Sequence, residues 1–122
     1  MENIQHNKAE CTKAVSAVKD ALYVLNGKWK LPLIMALTDG EMRFKDLQRA
    51  LGEITPKVLS KELKEMELNK FVERIVMPTK PVTITYRLTP YSRSLEKVVQ
   101  ELKEWGTQHR RKIMSKKRET AL

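Results

Sequence analysis

Apolar residues recur along the chain first at helical, then at strand, and finally again at helical spacing. Val15, Val18, Leu22 and Leu25 follow one another at three- and four-residue steps, which predicts a first helix over about Ala14 to Leu25 and the beginning of a heptad seam. Asn26-Gly27 breaks it. Trp29, Leu33, Ile34 and Leu37 predict a second, strongly apolar helix, which tolerates Pro32 only in its first turn and ends at Asp39-Gly40. A brief extended stretch, Met42-Arg43-Phe44, leads into a short third helix with Phe44, Leu47, Ala50 and Leu51 on one face and Gly52 as its C-cap.

Thr55 followed by Pro56 is the clearest start signal, an N-cap hydroxyl before a proline whose missing N–H costs nothing at the first helical position. The fourth helix runs from there to about Leu68. The period then becomes two: Val82, Ile84, Tyr86 and Leu88 share one face of a strand, Thr83, Thr85 and Arg87 the other, and Val72 to Met77 is its partner. Pro78-Thr79-Lys80-Pro81 makes a stiff, exposed, basic hairpin tip, since prolines cannot donate to a ladder. Thr89-Pro90 repeats the cap-and-proline signal and opens a long last helix carrying Leu95, Val98, Val99, Leu102, Trp105, His109 and Ile113 in one stripe. The expected fold is mainly α with a small β-hairpin, in the order H-H-H-H-β-β-H, as one domain over residues 1–122, ordered from about 12 to 111 with a basic C-terminal tail.

Composition narrows the function. The 122 residues hold 24 Lys and Arg against 15 Asp and Glu, a formal net charge of +9, which points to a polyanionic partner. With no apolar run of about 18 residues and a polar N-terminus, neither a membrane span nor a secretory signal is expected, and the protein is placed in the cytoplasm. One cysteine and two histidines, His6 and His109, supply neither a metal cage nor a hydrolase triad, and no Gly-rich phosphate loop is present. The expectation is a binding protein without cofactor, metal or catalytic activity.

A short helix, a tight turn, a capped helix and then a hairpin is the layout of a winged helix-turn-helix. On the fourth helix Val58, Leu59, Leu63 and Met66 fall inward, while Lys57, Ser60, Lys61 and Lys64 fall outward, a cationic face suited to double-stranded DNA. The helix start at Thr55 and Pro56 adds the free N–H groups of the first turn and their partial positive charge, and Thr79 and Lys80 add the hairpin tip. A solvated amphipathic helix has the same pattern. Arg43 is open to two readings, a phosphate contact or an ion pair with a nearby carboxylate.

These residues resemble the HxlR-type winged helix-turn-helix transcriptional regulators of bacteria, a MarR-like group. The resemblance spans almost the whole chain: Gly27-Lys28-Trp29; Gly40, Arg43, Phe44 and Leu47; Ile54, Thr55, Leu59, Leu63 and Met66; and Pro81, Val82, Tyr86, Leu88 and Thr89. Phe71 stands where the family usually has Leu, Lys70 where a capping Gly is common, and Ser92 where Gly is usual. The resemblance implies a homodimer that binds a palindromic operator. It also implies a regulatory role for Cys11, similar in position to the single N-terminal cysteine through which some relatives sense electrophiles, quinones or oxidants. The expected interface comprises Val15, Val18, Leu22 and Leu25 with Leu95, Val98, Leu102, Trp105 and His109, more apolar surface than a core of this size needs. The alternatives are an inert packing role for Cys11, a solvated rather than DNA-bound run of Arg110, Arg111, Lys112, Lys116, Lys117 and Arg118, and a non-specific RNA- or DNA-binding protein acting through charge alone. Few aromatics are left for base stacking, which counts against the last of these. Trp29 reads as a core residue, and the small-molecule effector is unknown.

Overall fold

Five α-helices and a small sheet follow one another as α1 (Lys8–Val24), α2 (Lys30–Leu37), β1 (Met42–Arg43), α3 (Phe44–Leu51), α4 (Pro56–Leu68), β2 (Val72–Met77), β3 (Thr83–Leu88), a 3-10 turn (Tyr91–Leu95) and α5 (Glu96–Ala121) in a computed structural model. The structure describes residues 8–121, with side-chain surroundings as far as residue 116. His6 and the side chains of Lys117 and Arg118 lie outside the described residues.

Leu33 and Ile34 of α2, Leu47 of α3 and Leu59, Leu63 and Met66 of α4 are almost completely buried and form the centre of the core. Each such side chain contributes about 1.5–3 kcal/mol by leaving water. Phe71, Val72 and Leu88 extend this core to the sheet, and Val99 closes it from α5. Trp29 packs against the core at the start of α2, as its apolar neighbours predict, with the Lys28 ammonium 4.9 Å from the ring centroid. Gly52 ends α3 at φ +79°, a conformation that favours glycine.

The sheet has three antiparallel strands in the order β1-β3-β2, one more than the hairpin expected from period two. β2 and β3 pair from Val72 opposite Leu88 to Met77 opposite Thr83, so β3 begins one residue after Val82. The extended Met42-Arg43 segment joins this hairpin, Met42 opposite Tyr86 and Arg43 opposite Thr85. Two residues carry no periodicity, so their pairing is a tertiary fact.

Several expectations are corrected by packing. Leu25 is only 8% exposed and belongs to the core, because the chain leaves α1 after Val24 and turns inward before Asn26-Gly27. Leu95 ends the 3-10 turn and packs against the core, since a tighter turn rotates it off the α5 stripe. The α-helix therefore opens at Glu96 rather than directly after Thr89-Pro90. Thr89 still acts locally: it is buried, its hydroxyl donates to the Lys70 carbonyl at 2.6 Å, and it accepts from the Ser92 N–H at 3.2 Å. α1 is described over Lys8–Val24, which places Cys11 within the helix rather than ahead of it, and α5 carries the basic C-terminal run on as helix to Ala121.

The departures from the family pattern at positions 70, 71 and 92 are accommodated. Lys70 adopts φ +65°, the conformation for which glycine is preferred, while the Phe71 N–H still bonds the Met66 carbonyl at 2.9 Å. Phe71 is buried and stacks on Tyr91 with ring centroids 5.7 Å apart. Ser92 is fully buried, with its hydroxyl donating to the Thr89 carbonyl at 2.8 Å.

Candidate nucleic-acid interface

α4 is built to present one charged face. Thr55, extended at φ −80° and ψ 154°, accepts from the Val58 N–H at 3.2 Å, and Pro56 opens the first turn, as the sequence predicts. Leu59, Leu63 and Met66 anchor the opposite side in the core. What remains outward is Lys57, Ser60, Lys61 and Lys64, which together with Glu65 and Leu68 line one open groove. The three lysines are exposed and Ser60 is half-buried among them. The groove thus gathers four of the expected site residues on one surface, with Thr55 and Pro56 at its N-terminal end.

The hairpin tip is organised differently from the expectation for Thr79. Its hydroxyl donates to the Pro81 carbonyl at 2.8 Å and lies 2.9 Å from the Thr83 hydroxyl, so this side chain is engaged inside the loop. Lys80 is exposed beside it, preceding a cis peptide to Pro81. Around it Val76, Met77 and Val82 are 47–60% exposed, so the wing ends in a charge framed by apolar residues.

Of the two readings of Arg43, the ion pair is not formed. The nearby carboxylate is Asp46, which accepts from the Arg43 backbone N–H at 3.3 Å as part of the α3 cap and binds the Arg49 guanidinium at 3.1 Å. The Arg43 side chain is exposed at the N-terminus of α3 and makes no ion pair among the described residues.

Sequence reasoning missed Lys30. It stands in the apolar stretch that forms α2, is 5% exposed, and reaches across to α4, where its Nζ lies 3.0 Å from Glu62 and 2.8 Å from Glu65. Burial works to lower its pKa, but the hydrogen bonds and charges of Glu65 and Glu62 outweigh that and hold it above the ordinary lysine value. The Glu65 carboxyl is in turn held below the ordinary value, first by its hydrogen bond to Lys30. Both shifts keep this junction charged across the neutral range. The available signal was a lysine amid Trp29, Leu31, Leu33 and Ile34 together with two glutamates three residues apart on α4.

The terminal helices leave apolar faces uncovered. α1 has no buried residue, and Val15, Val18 and Leu22 are 54–61% exposed. On α5, Val98, Leu102 and Trp105 are 45–63% exposed, and Trp105 stacks on His109 with centroids 4.8 Å apart. Cys11 is exposed on α1. Among the described residues no cluster of three His, Cys, Asp or Glu side chains can hold a metal ion, and no helix is long and apolar enough to cross a membrane.

Residues 24–114 of the chain match the model of the HxlR-like helix-turn-helix family. The chain is 37% identical over 109 residues to the uncharacterized HTH-type transcriptional regulator YybR of Bacillus subtilis (strain 168), covering 89% of this chain and 83% of that protein. It is also 37% identical over 91 residues to the HTH-type transcriptional regulator YodB of the same organism, covering 75% and 81% of the two chains. Among solved structures, the redox regulator HypR in its reduced form superposes with a TM-score of 0.76 at 36% identity, over 81% of this chain and 98% of that one. Diamide-treated YodB from B. subtilis superposes with a TM-score of 0.64 at 37% identity, over 75% and 91%.

Proposed function

This chain belongs to the HxlR-like helix-turn-helix family of DNA-binding transcriptional regulators, and from that premise we propose that it binds a palindromic operator, sequence-specifically, as a homodimer. The observation that carries the reading is the groove of α4, where Lys57, Ser60, Lys61 and Lys64 converge on the helix that follows the tight turn. Such a helix enters the major groove, its lysines meeting phosphates or guanine edges and Ser60 a base edge. Lys80 at the wing tip and Arg43 at the start of α3 contact the flanking backbone in this reading, and Thr79, whose hydroxyl bonds the Pro81 carbonyl, braces the wing.

Support for the homodimer comes from the uncovered faces of α1 (Val15, Val18, Leu22) and α5 (Val98, Leu102, Trp105, His109). Two-fold symmetry spaces two recognition helices by about 34 Å, one turn of DNA, and gives the operator its palindromic form. The test is competition between DNA flanking the protein's own gene and random duplex. Preference for a short palindrome by about a thousandfold or more is expected. Equal retention on both would instead support a non-specific nucleic-acid-binding protein.

A redox response is the finer part of the proposal. The similar solved structures include a redox regulator and a diamide-treated protein, and Cys11 here is exposed on α1, open to oxidants. Diamide takes two hydrogens from two thiols, so oxidation joins Cys11 to Cys11 of the partner subunit or to a small thiol. Either product disturbs the packing of the α1 helices and with it the spacing of the recognition helices. Diamide is expected to release the wild type from its operator and to leave Cys11→Ser bound, as read by electrophoretic mobility shift. Equal release of both proteins, or of neither, would leave Cys11 with a packing role.

A further inference from the structure

Glu65 puts a negative charge among the groove lysines. It lines the same groove as Lys57, Lys61 and Lys64, and it follows Lys61 by four residues, the spacing at which helix side chains meet. Lys61 forms no salt bridge among the described residues, although its charge acts on Glu65 from a distance and adds, after Lys30, to the lowering of that carboxyl's pKa. Glu65 is instead turned toward α2, where Lys30 holds it at 2.8 Å while also holding Glu62 at 3.0 Å. Stability alone does not require this arrangement. Apolar replacements of a buried ion pair are commonly neutral or stabilising, and position 30 is flanked by Trp29 and Leu31.

We propose that Lys30 is a positioning residue for DNA binding: by holding Glu65 against α2, it keeps that carboxylate from forming a direct salt bridge with Lys61 and leaves the Lys61 ammonium unbridged for a phosphate. The inference rests on the reading of the α4 groove as the DNA-binding face. Without Lys30, the Glu65 side chain has Lys61 as its neighbouring cation, and an internal carboxylate then competes with phosphate for the same ammonium group. The competition removes one counterion-releasing interaction from each protomer.

The test uses the full chain and a duplex of about 30 base pairs, or roughly three turns, from DNA flanking its own gene, with binding followed by fluorescence anisotropy across a tenfold range of KCl. Urea unfolding of each variant is measured alongside. Lys30→Met is expected to lower the magnitude of the salt slope by about 0.9 per protomer, or about 1.8 for the dimer, which amounts to about a sixtyfold change in relative affinity over that range. Adding Glu65→Gln to Lys30→Met is expected to restore the wild-type slope, although the ion pairs between α2 and α4 stay broken. Glu65→Gln alone, which leaves Lys30 paired with Glu62, is expected to keep the wild-type slope even with reduced stability. A double variant as defective as Lys30→Met, or an unchanged slope in a folded Lys30→Met, would overturn the proposal. If Lys30→Met does not fold, Glu65→Gln decides: binding that falls in step with stability overturns it, and full binding at lower stability supports it. Lys61→Ala separates the two levels, since full binding by that variant removes the premise. Weakened binding by Lys61→Ala, without the Lys30 and Glu65 pattern, removes this inference alone.

Discussion

Replacing Lys57, Lys61 and Lys64 together with alanine is expected to weaken operator binding by about a hundredfold or more at physiological salt and to lower the magnitude of the salt slope by up to about 2.7 per protomer, close to 0.9 for each phosphate no longer neutralised. All three side chains are exposed on the outer face of α4, whose inner face is anchored by Leu59, Leu63 and Met66, so the substitutions leave the core untouched. Alanine is also a better helix former than lysine, and α4 itself is retained. The slope separates roles that affinity alone confuses. A lysine that meets phosphate weakens all sequences alike, whereas one that reads a base relaxes preference at one operator position. Anisotropy titrations at several salt concentrations, with circular dichroism to confirm the fold, provide the measurement. Full operator affinity in the folded triple variant would exclude α4 as the recognition helix.

The second large effect is expected at the terminal helices. Leu102→Glu with Trp105→Glu places two carboxylates per protomer on the α5 face, where both side chains are about half exposed or more, and outside the buried core. The expected product is a folded monomer. In a two-fold dimer each new charge occurs twice in the same interface, so the desolvation cost and the like-charge repulsion are both doubled. Operator affinity is then expected to fall by about a hundredfold to ten-thousandfold, because the second half-site is no longer held at high effective concentration. Sedimentation at micromolar protein reads the first effect and mobility shift on the palindrome the second. A wild type that sediments as a monomer, or a double variant that remains a dimer, would overturn the assignment of these faces.

Local chemistry is legible in the sequence alone. The start of α4 follows from Thr55 and Pro56, which act within one turn of chain, and the β2–β3 hairpin follows from alternation and two prolines. The lysine face of α4 follows as well, since one helical period sends Leu59, Leu63 and Met66 inward and Lys57, Ser60, Lys61 and Lys64 outward. For the same reason the motif residues from Gly27 to Thr89 are sufficient to suggest the family.

Contacts between residues far apart in the chain were set by packing and carry no local signal. Period alone could not tell the apolar residues that face the core from those that face outward at helix ends, and so Leu25 and Leu95 read like Val18 and Val98 until packing separated them. β1 is too short to show a strand period, and it is a strand because β3 offers it a free edge. Thr79 reads only as a hairpin-tip residue, and the bonds of its hydroxyl to Pro81 and Thr83 exist because the loop closes on it. The ammonium of Lys30 meets Glu62 and Glu65 across 32 and 35 residues of sequence, a pairing that no local preference encodes and that exists because α2 and α4 share one core. Short-range preferences are set by neighbouring residues, whereas the burial of a charge depends on which surfaces meet, and in this protein that meeting aligns α4 and assigns Glu65 its partner.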